Sequence, residues 1–225
     1  MEIVLIRHGE PEWVVDGLNI DNPPLTARGA AQAQAMADFI RDEHFDEVHC
    51  SPLVRARQTA APLFQALGRD ESVQPWLEEI RNPLWHGTPQ ERADEAYRQD
   101  RARNSHERWD GLVGGEPPRE FVERIHTGCM SFLSERGVIR NRAELSMWSI
   151  ADPNRKIALV AHAGTNSVVI CHVLGIAPTP WEWERFVIGH ATVSRLESMQ
   201  MGDGHSFSLT SLSDDEYLSH AERTR

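Results

Sequence analysis

The sequence predicts an α/β protein: a three-layer α/β/α sandwich with a mostly parallel central sheet and an inserted, partly helical cap. Three observations predict it. Glu2 to Ile6 and Lys156 to Ala161 each hold a short, continuous apolar run rich in β-branched residues, as expected of strands buried on both faces. Segments with helical apolar spacing alternate with these and with weaker strand patterns, the order of a sheet built through helical crossovers. The stretch from Arg81 to Arg119 breaks that rhythm with charge, with Pro83, Pro89, Pro117 and Pro118, and with Gly114-Gly115.

The elements follow in order. After a polar loop containing Pro23 and Pro24, Thr26 is the expected N-cap of a helix running to about Arg41, because Ala33, Ala37 and Ile40 fall at i, i+4 and i+7. Val48 to Cys50 reads as a short strand. Ser51-Pro52 reads as N-cap and first turn of a helix with Leu53, Ala56, Ala60, Leu63 and Leu67 on one face. Val73 to Leu77 is read as another strand, and Gln90 to Trp109 has helical composition. Phe121, Ile125 and Phe132 mark a helix from about Pro118 to Glu135, and a second crossover helix is expected over Thr165 to Leu174. Thr192 to Glu197 and Ser206 to Thr210 read as a hairpin, and the last dozen residues as a polar tail. Residues 1–225 are thus read as one domain, with 81–119 as a cap inserted into it.

Composition narrows the function. Lys plus Arg number 23 against 34 Asp plus Glu, and the resulting charge of −11 argues against a nucleic-acid partner, which needs a basic face. No stretch approaches the roughly 18–20 apolar residues of a membrane span, and the Met1 end enters a strand pattern without a basic leader, so no membrane partner is expected. Cys50, Cys129 and Cys171 are odd in number and far apart, which argues against disulfides and zinc and for the cytoplasm. Trp181, Trp183 and Phe186 are read as core or as a subunit contact, so a homodimer stays open.

In parallel sheets, ligands bind at the carboxyl ends of the strands. There the sequence places Arg7-His8-Gly9-Glu10, Arg55 in the first turn after Ser51, Glu78-Glu79, and His162-Ala163-Gly164. Two histidines, two arginines and a carboxylate suit phosphoryl transfer. Neutral imidazole attacks phosphorus, and a covalent intermediate divides one hard step into two. Arginine forks bind the oxygens over which charge spreads. A carboxylic acid of raised pKa can protonate the leaving alkoxide near neutral pH.

These residues lie in motifs that resemble the histidine phosphatase superfamily, which includes the cofactor-dependent phosphoglycerate mutases. Leu5-Ile6-Arg7-His8-Gly9-Glu10 with Trp13 resembles its signature, and Pro24-Leu25-Thr26-Ala27-Arg28-Gly29 its P-L-T-x-x-G segment. The run from Ser51 to Ala60 resembles its S-P-L-x-R-A-x-x-T-A helix start, Leu77-Glu78-Glu79 its L-x-E, Gly114-Gly115-Glu116 its G-G-E turn, and Val160-Ala161-His162 its second histidine strand. The resemblance implies His8 as nucleophile, with Arg7, Arg55, His162 and Ala163 at the phosphoryl oxygens. Glu79 would be the acid and then the base for water. It implies no cofactor and no metal, and a small phosphorylated substrate.

Some positions depart from the pattern. Val14 stands where the family often has Asn, Ala163 where Gly follows the second histidine, Pro83 where Gly precedes Trp85, and His86 in place of Glu. The Gly-Asn that follows the second histidine in mutases is missing. These departures favour a phosphomonoester hydrolase over mutase-type transfer, with an inert phosphate-ester binder as the remaining alternative. A cysteine phosphatase would need C-x5-R, whereas four residues separate Cys50 from Arg55 and Pro52 removes a loop N–H. A metallohydrolase would need spaced ligands, and the remaining histidines, His190 among them, are scattered and read as structural or exposed, with His86 a candidate for lining the pocket. Arg81, Arg98, Arg101, Arg103 and Arg108 make 81–119 the expected source of substrate contacts.

Overall fold

The computed structural model describes residues 1–141 and 145–225. In chain order the elements are β1 (Glu2–Arg7), β2 (Val14–Val15), β3 (Leu18–Asn19), α1 (Ala27–Ile40), β4 (Glu47–Cys50), α2 (Val54–Ala66), α3 (Gln90–Arg101) and α4 (Pro118–Ser134). There follow β5 (Val138–Arg140), β6 (Trp148–Ile150), β7 (Lys156–Ala161), α5 (Ala163–Leu174), α6 (Glu182–Arg185), β8 (Val193–Met201) and β9 (Gly204–Asp214). Single 3-10 turns lie at Pro75–Leu77 and Glu107–Asp110.

Three layers form because β1 buries both faces. Ile3 and Leu5 enter one core with α4 and α5, while Val4 and Ile6 enter the other with α1 and α2. The same period of two divides β7, with Ile157 and Leu159 on the first side and Ala158 and Val160 on the second. Each Ile, Leu or Val side chain so buried contributes about 1.5–3 kcal/mol, and Ala158 less. Thr26 caps α1 as expected, its Oγ1 accepting from Gly29 N at 2.9 Å. Phe121, Ile125 and Phe132 are the buried face of α4.

The expectation of a mostly parallel sheet is overturned. The seven strands run in the order β4-β7-β1-β8-β9-β6-β5. Only β4–β7 and β7–β1 pair in parallel among the described residues, whereas β1–β8, β8–β9, β9–β6 and β6–β5 are antiparallel. The strand–helix alternation holds only for the buried half of the sheet. Beyond β1 the chain returns as the expected hairpin, β8–β9, whose outer parts face solvent, an arrangement antiparallel strands tolerate. Strands of three residues, such as β5 and β6, are too short to leave a period.

Three smaller expectations change. Val73 makes a single parallel bridge to Cys50, after which Pro75, lacking an N–H, turns the chain into a 3-10 turn rather than a strand. Helix α2 begins at Val54 with Leu53 as cap residue, two positions later than read. The last dozen residues are not a loose tail: Leu218 is buried, Tyr217 stacks on Phe39 with ring centres 4.4 Å apart, and Gln32 Nε2 donates to Thr224 Oγ1 at 2.9 Å. Trp183 and Phe186 pack against the core.

Candidate active site

The parallel strands β1, β4 and β7 end side by side, Arg7 opposite Ala161 and Cys50 opposite Val160. That register brings the residues following each strand to one edge. Here the His8 and His162 rings meet edge to face with centroids 5.0 Å apart, and Arg55 Nε donates to His8 Nε2 at 3.2 Å. His8, Arg55 and His162 are all buried. Arg7 is held by Ile188, whose carbonyl accepts from Nη1 at 2.6 Å. Glu79 enters from the residue pair after the 3-10 turn and not, as expected, from a strand end.

Hydrogen bonds orient each group. The His8 Nδ1–H donates to Gly9 O at 2.7 Å, which leaves Nε2 with its lone pair toward Arg55. Gly9 N donates to Thr59 Oγ1 at 2.9 Å, and the same hydroxyl donates to Arg55 O at 2.7 Å, tying the loop after β1 to α2. Ser51 does not cap α2; its Oγ lies 2.7 Å from His162 Nε2. The Glu79 carboxylate accepts from Ile80 N at 3.0 Å, from Gly164 N at 2.9 Å and from Thr165 Oγ1 at 3.4 Å. Arg124 supports the same segment, donating to Glu78 O at 2.9 Å and Glu79 O at 3.2 Å.

The electrostatics suit an anion. Burial, and then the charges of neighbouring His162, Arg55 and Arg7, hold the His8 imidazole well below its usual range, so it stays neutral. Burial likewise lowers His162, reinforced by Arg55 and Arg7. Burial raises the Glu79 carboxyl despite its backbone hydrogen bonds and the nearby arginines. Arg7 Nε, Arg55 Nη1 and His162 Nδ1 are buried polar atoms without a partner in the protein, which an oxyanion would satisfy. Ala163 opens α5, so its N–H belongs to the first turn of that helix, where backbone donors favour anions.

Some sequence candidates stand elsewhere. Cys50 is buried with its thiol pushed up to about 12 by burial, which removes the thiolate a cysteine phosphatase needs. His86 is exposed in the turn after Trp85. No group of three His, Cys, Asp or Glu among the described residues could hold a metal ion. Of the seven arginines of 81–119, Arg81, Arg98, Arg103 and Arg108 are ion-paired, to Glu78, Glu95, Asp100 and Asp100 respectively. Ser51 and Thr59 lie inside the run that resembles S-P-L-x-R-A-x-x-T-A, whereas Thr165 lies in no motif. Arg124 and His190 carry no local signal.

A neutral imidazole among arginines, with a buried carboxyl of raised pKa near those arginines, is an arrangement suited to phosphoryl transfer. The family model of the histidine phosphatase superfamily (branch 1) matches residues 3–211, and the chain belongs to that superfamily. It is a phosphatase-type hydrolase of the phosphohistidine kind, acting on small phosphorylated metabolites. Phosphoserine phosphatase 1 of Hydrogenobacter thermophilus is 28% identical over 179 residues, 78% of this chain and 77% of that one. A probable phosphoglycerate mutase of Escherichia fergusonii is 26% identical over 200 residues, covering 88% and 85%. The crystal structure of a putative α-ribazole-5′-phosphate phosphatase from Escherichia coli superposes with a TM-score of 0.69 at 27% identity, covering 95% and 97%.

Proposed function

We propose that this chain is a metal-independent, cofactor-free phosphomonoesterase in which His8 Nε2 attacks phosphorus. As the P–N bond forms, the P–O bond to the leaving group breaks and Glu79 transfers its proton to the departing oxygen. Water then attacks the phosphohistidine, Glu79 takes the water's proton, the P–N bond breaks, and phosphate leaves with His8 neutral again. Arg7, Arg55, His162 and the Ala163 N–H bind the phosphoryl oxygens, and the Gly9 carbonyl holds the Nδ1 proton while Nε2 carries phosphorus. The observation that carries this reading is the trio of partnerless buried nitrogens, Arg7 Nε, Arg55 Nη1 and His162 Nδ1, each able to donate to an oxyanion, the last with its proton on Nδ1 and Nε2 facing the Ser51 hydroxyl.

The insertion 81–119 is read as the specificity cap of a single domain. The Tyr97 phenol is within electrostatic reach of Glu79, Arg101 and Arg55, so the inner face of α3 borders the chemistry. Arg101, which acts electrostatically on that phenol, has no ion pair among the described residues and is suited to an anionic part of the substrate. Among the described residues no helix is long and apolar enough to cross a membrane, and a cytoplasmic site accords with three buried, unpaired cysteines.

Hydrolysis is favoured over mutase transfer because Val14 stands where the family often has a phosphate-contacting Asn, and Ala163-Gly164 stand where mutases have Gly-Asn after the second histidine. The test is a substrate panel of phosphoserine, α-ribazole phosphate, 3-phosphoglycerate and an aryl phosphate, with a parallel mutase assay and with EDTA. Phosphate release insensitive to EDTA supports the reading. Isomerisation of phosphoglycerate without release would make the chain a mutase, binding without turnover an inert binder, and loss restored by a divalent cation a metalloenzyme.

A further inference from the structure

We propose that His190 is a positioning residue for Arg7, clamped in that role by Thr224 of the C-terminal segment. The proposal rests on the reading of Arg7 as a phosphoryl-binding residue. His190 is buried, and its ring centroid lies 5.6 Å from that of His8. Its Nε2 faces Arg7 Nη2 at 2.9 Å. Arginine can only donate, so Nε2 accepts and the imidazole proton sits on Nδ1. There it meets Thr224 Oγ1 at 2.9 Å.

Thr224 is itself tied down. Its carbonyl accepts from His190 N at 3.0 Å, and its hydroxyl accepts from Gln32 Nε2 at 2.9 Å. Gln32 Oε1 in turn accepts from Glu10 N at 2.7 Å. The segment therefore grips both ends of the loop from Arg7 to Glu10. Ala191, next to His190, adopts a left-handed φ of 53°, donates its N–H to His8 O at 3.0 Å and accepts from the Tyr217 hydroxyl. These contacts hold a strained backbone that would not persist unsupported.

The consequence falls on the guanidinium. Ile188 O and His190 Nε2 take up Nη1 and Nη2, which fixes the plane of the fork, while the buried Nε–H is left for a phosphoryl oxygen. A protonated His190 would lose its acceptor and repel Arg7. Burial, with the charges of Arg7 and Arg55, holds its pKa down to about 3. The groups facing it are Arg7, Arg55, the neutral His8 and the Thr224 hydroxyl, none of which favours the cation.

The experiment compares H190A, H190Q, T224V, R7A and R7A/H190A in the full chain. It reads inorganic phosphate affinity by calorimetry, kcat and KM on an aryl phosphate, and melting temperature. H190A should weaken phosphate binding and lower kcat/KM by about tenfold to a hundredfold. H190Q, whose amide oxygen can accept in place of Nε2, should recover most of it, and T224V should shift both in the same direction by less. In the R7A background H190A should add nothing, because coupled residues are not additive. Wild-type phosphate affinity in H190A, the same penalty with and without Arg7, or a loss of melting temperature alone would overturn the proposal. If H190A fails to fold, H190Q and T224V decide it: wild-type affinity in T224V together with no retention in H190Q overturns it. Wild-type affinity in R7A would remove the reading of Arg7 itself, a failure separable from that of His190.

Discussion

Arg55 Nε donates to His8 Nε2 at 3.2 Å, and His8 Nδ1 lies 2.7 Å from the Gly9 carbonyl oxygen. A guanidinium cannot accept and a carbonyl cannot donate, so both contacts demand the same tautomer. The nitrogen beside the arginine carries the lone pair. In the proposed reaction the attacking atom would thus be specified before substrate arrives, with the Arg55 charge already next to it.

Replacing His8 by Ala should lower aryl phosphate hydrolysis by about a thousandfold or more, as loss of a nucleophile does. Wild-type protein quenched during turnover should carry a phosphate adduct that is acid-labile and base-stable, and H8A should carry none. Retained activity in H8A, or an acid-stable adduct, would sink the assignment.

The pH profile of kcat/KM should be bell-shaped with a displaced acid limb. His8 must be neutral to attack, and its pKa is held well below the ordinary 6.5, so activity should persist below that value. Glu79 must be protonated to act first, and its pKa is raised above 4.5, so activity should fall as pH rises through the raised value. Glu79→Gln should abolish the alkaline limb and slow alkyl phosphates by about a hundredfold to ten-thousandfold. An alkaline limb unchanged in E79Q would assign that titration to another group.

Gly164 has no room for a side chain. A β-carbon there would lie 2.5 Å from Glu79 Oε1, and the Gly164 N–H that holds Oε2 is part of the same contact. Gly164→Ala should displace the carboxylate and reduce kcat by about tenfold to a hundredfold. Alanine is the better helix residue, so α5 should not lose stability. Kinetics beside thermal melts would check this, and an unchanged kcat would mean that the acid does not need its present position.

Much of the site was legible in local pattern. Arg7-His8, Arg55 and His162 could be placed at strand ends because buried strands announce themselves as continuous apolar runs, and their following residues must meet at one edge if the strands are parallel neighbours. Thr26 was legible because a cap is a local hydrogen bond. Glu79 was found by its motif, although the element before it is a 3-10 turn rather than a strand. The direction of β8 beside β1 was not legible, because an apolar run reports burial and carries no sign of strand polarity. Nor was the docking of residues 214–225, whose polar side chains gain their partners from distant parts of the chain.

What the sequence by itself determined was the set of candidate groups and the two buried strands that end in Arg7-His8 and His162, since both depend on residue type and on a period of two. Tertiary structure alone decided which nitrogen of His8 carries the lone pair, how Glu79 is held, and that His190, 183 residues from Arg7, contacts its guanidinium. The reason is physical: periodicity encodes which faces are buried, whereas tautomer, orientation and second contacts are set by partners far away in the chain.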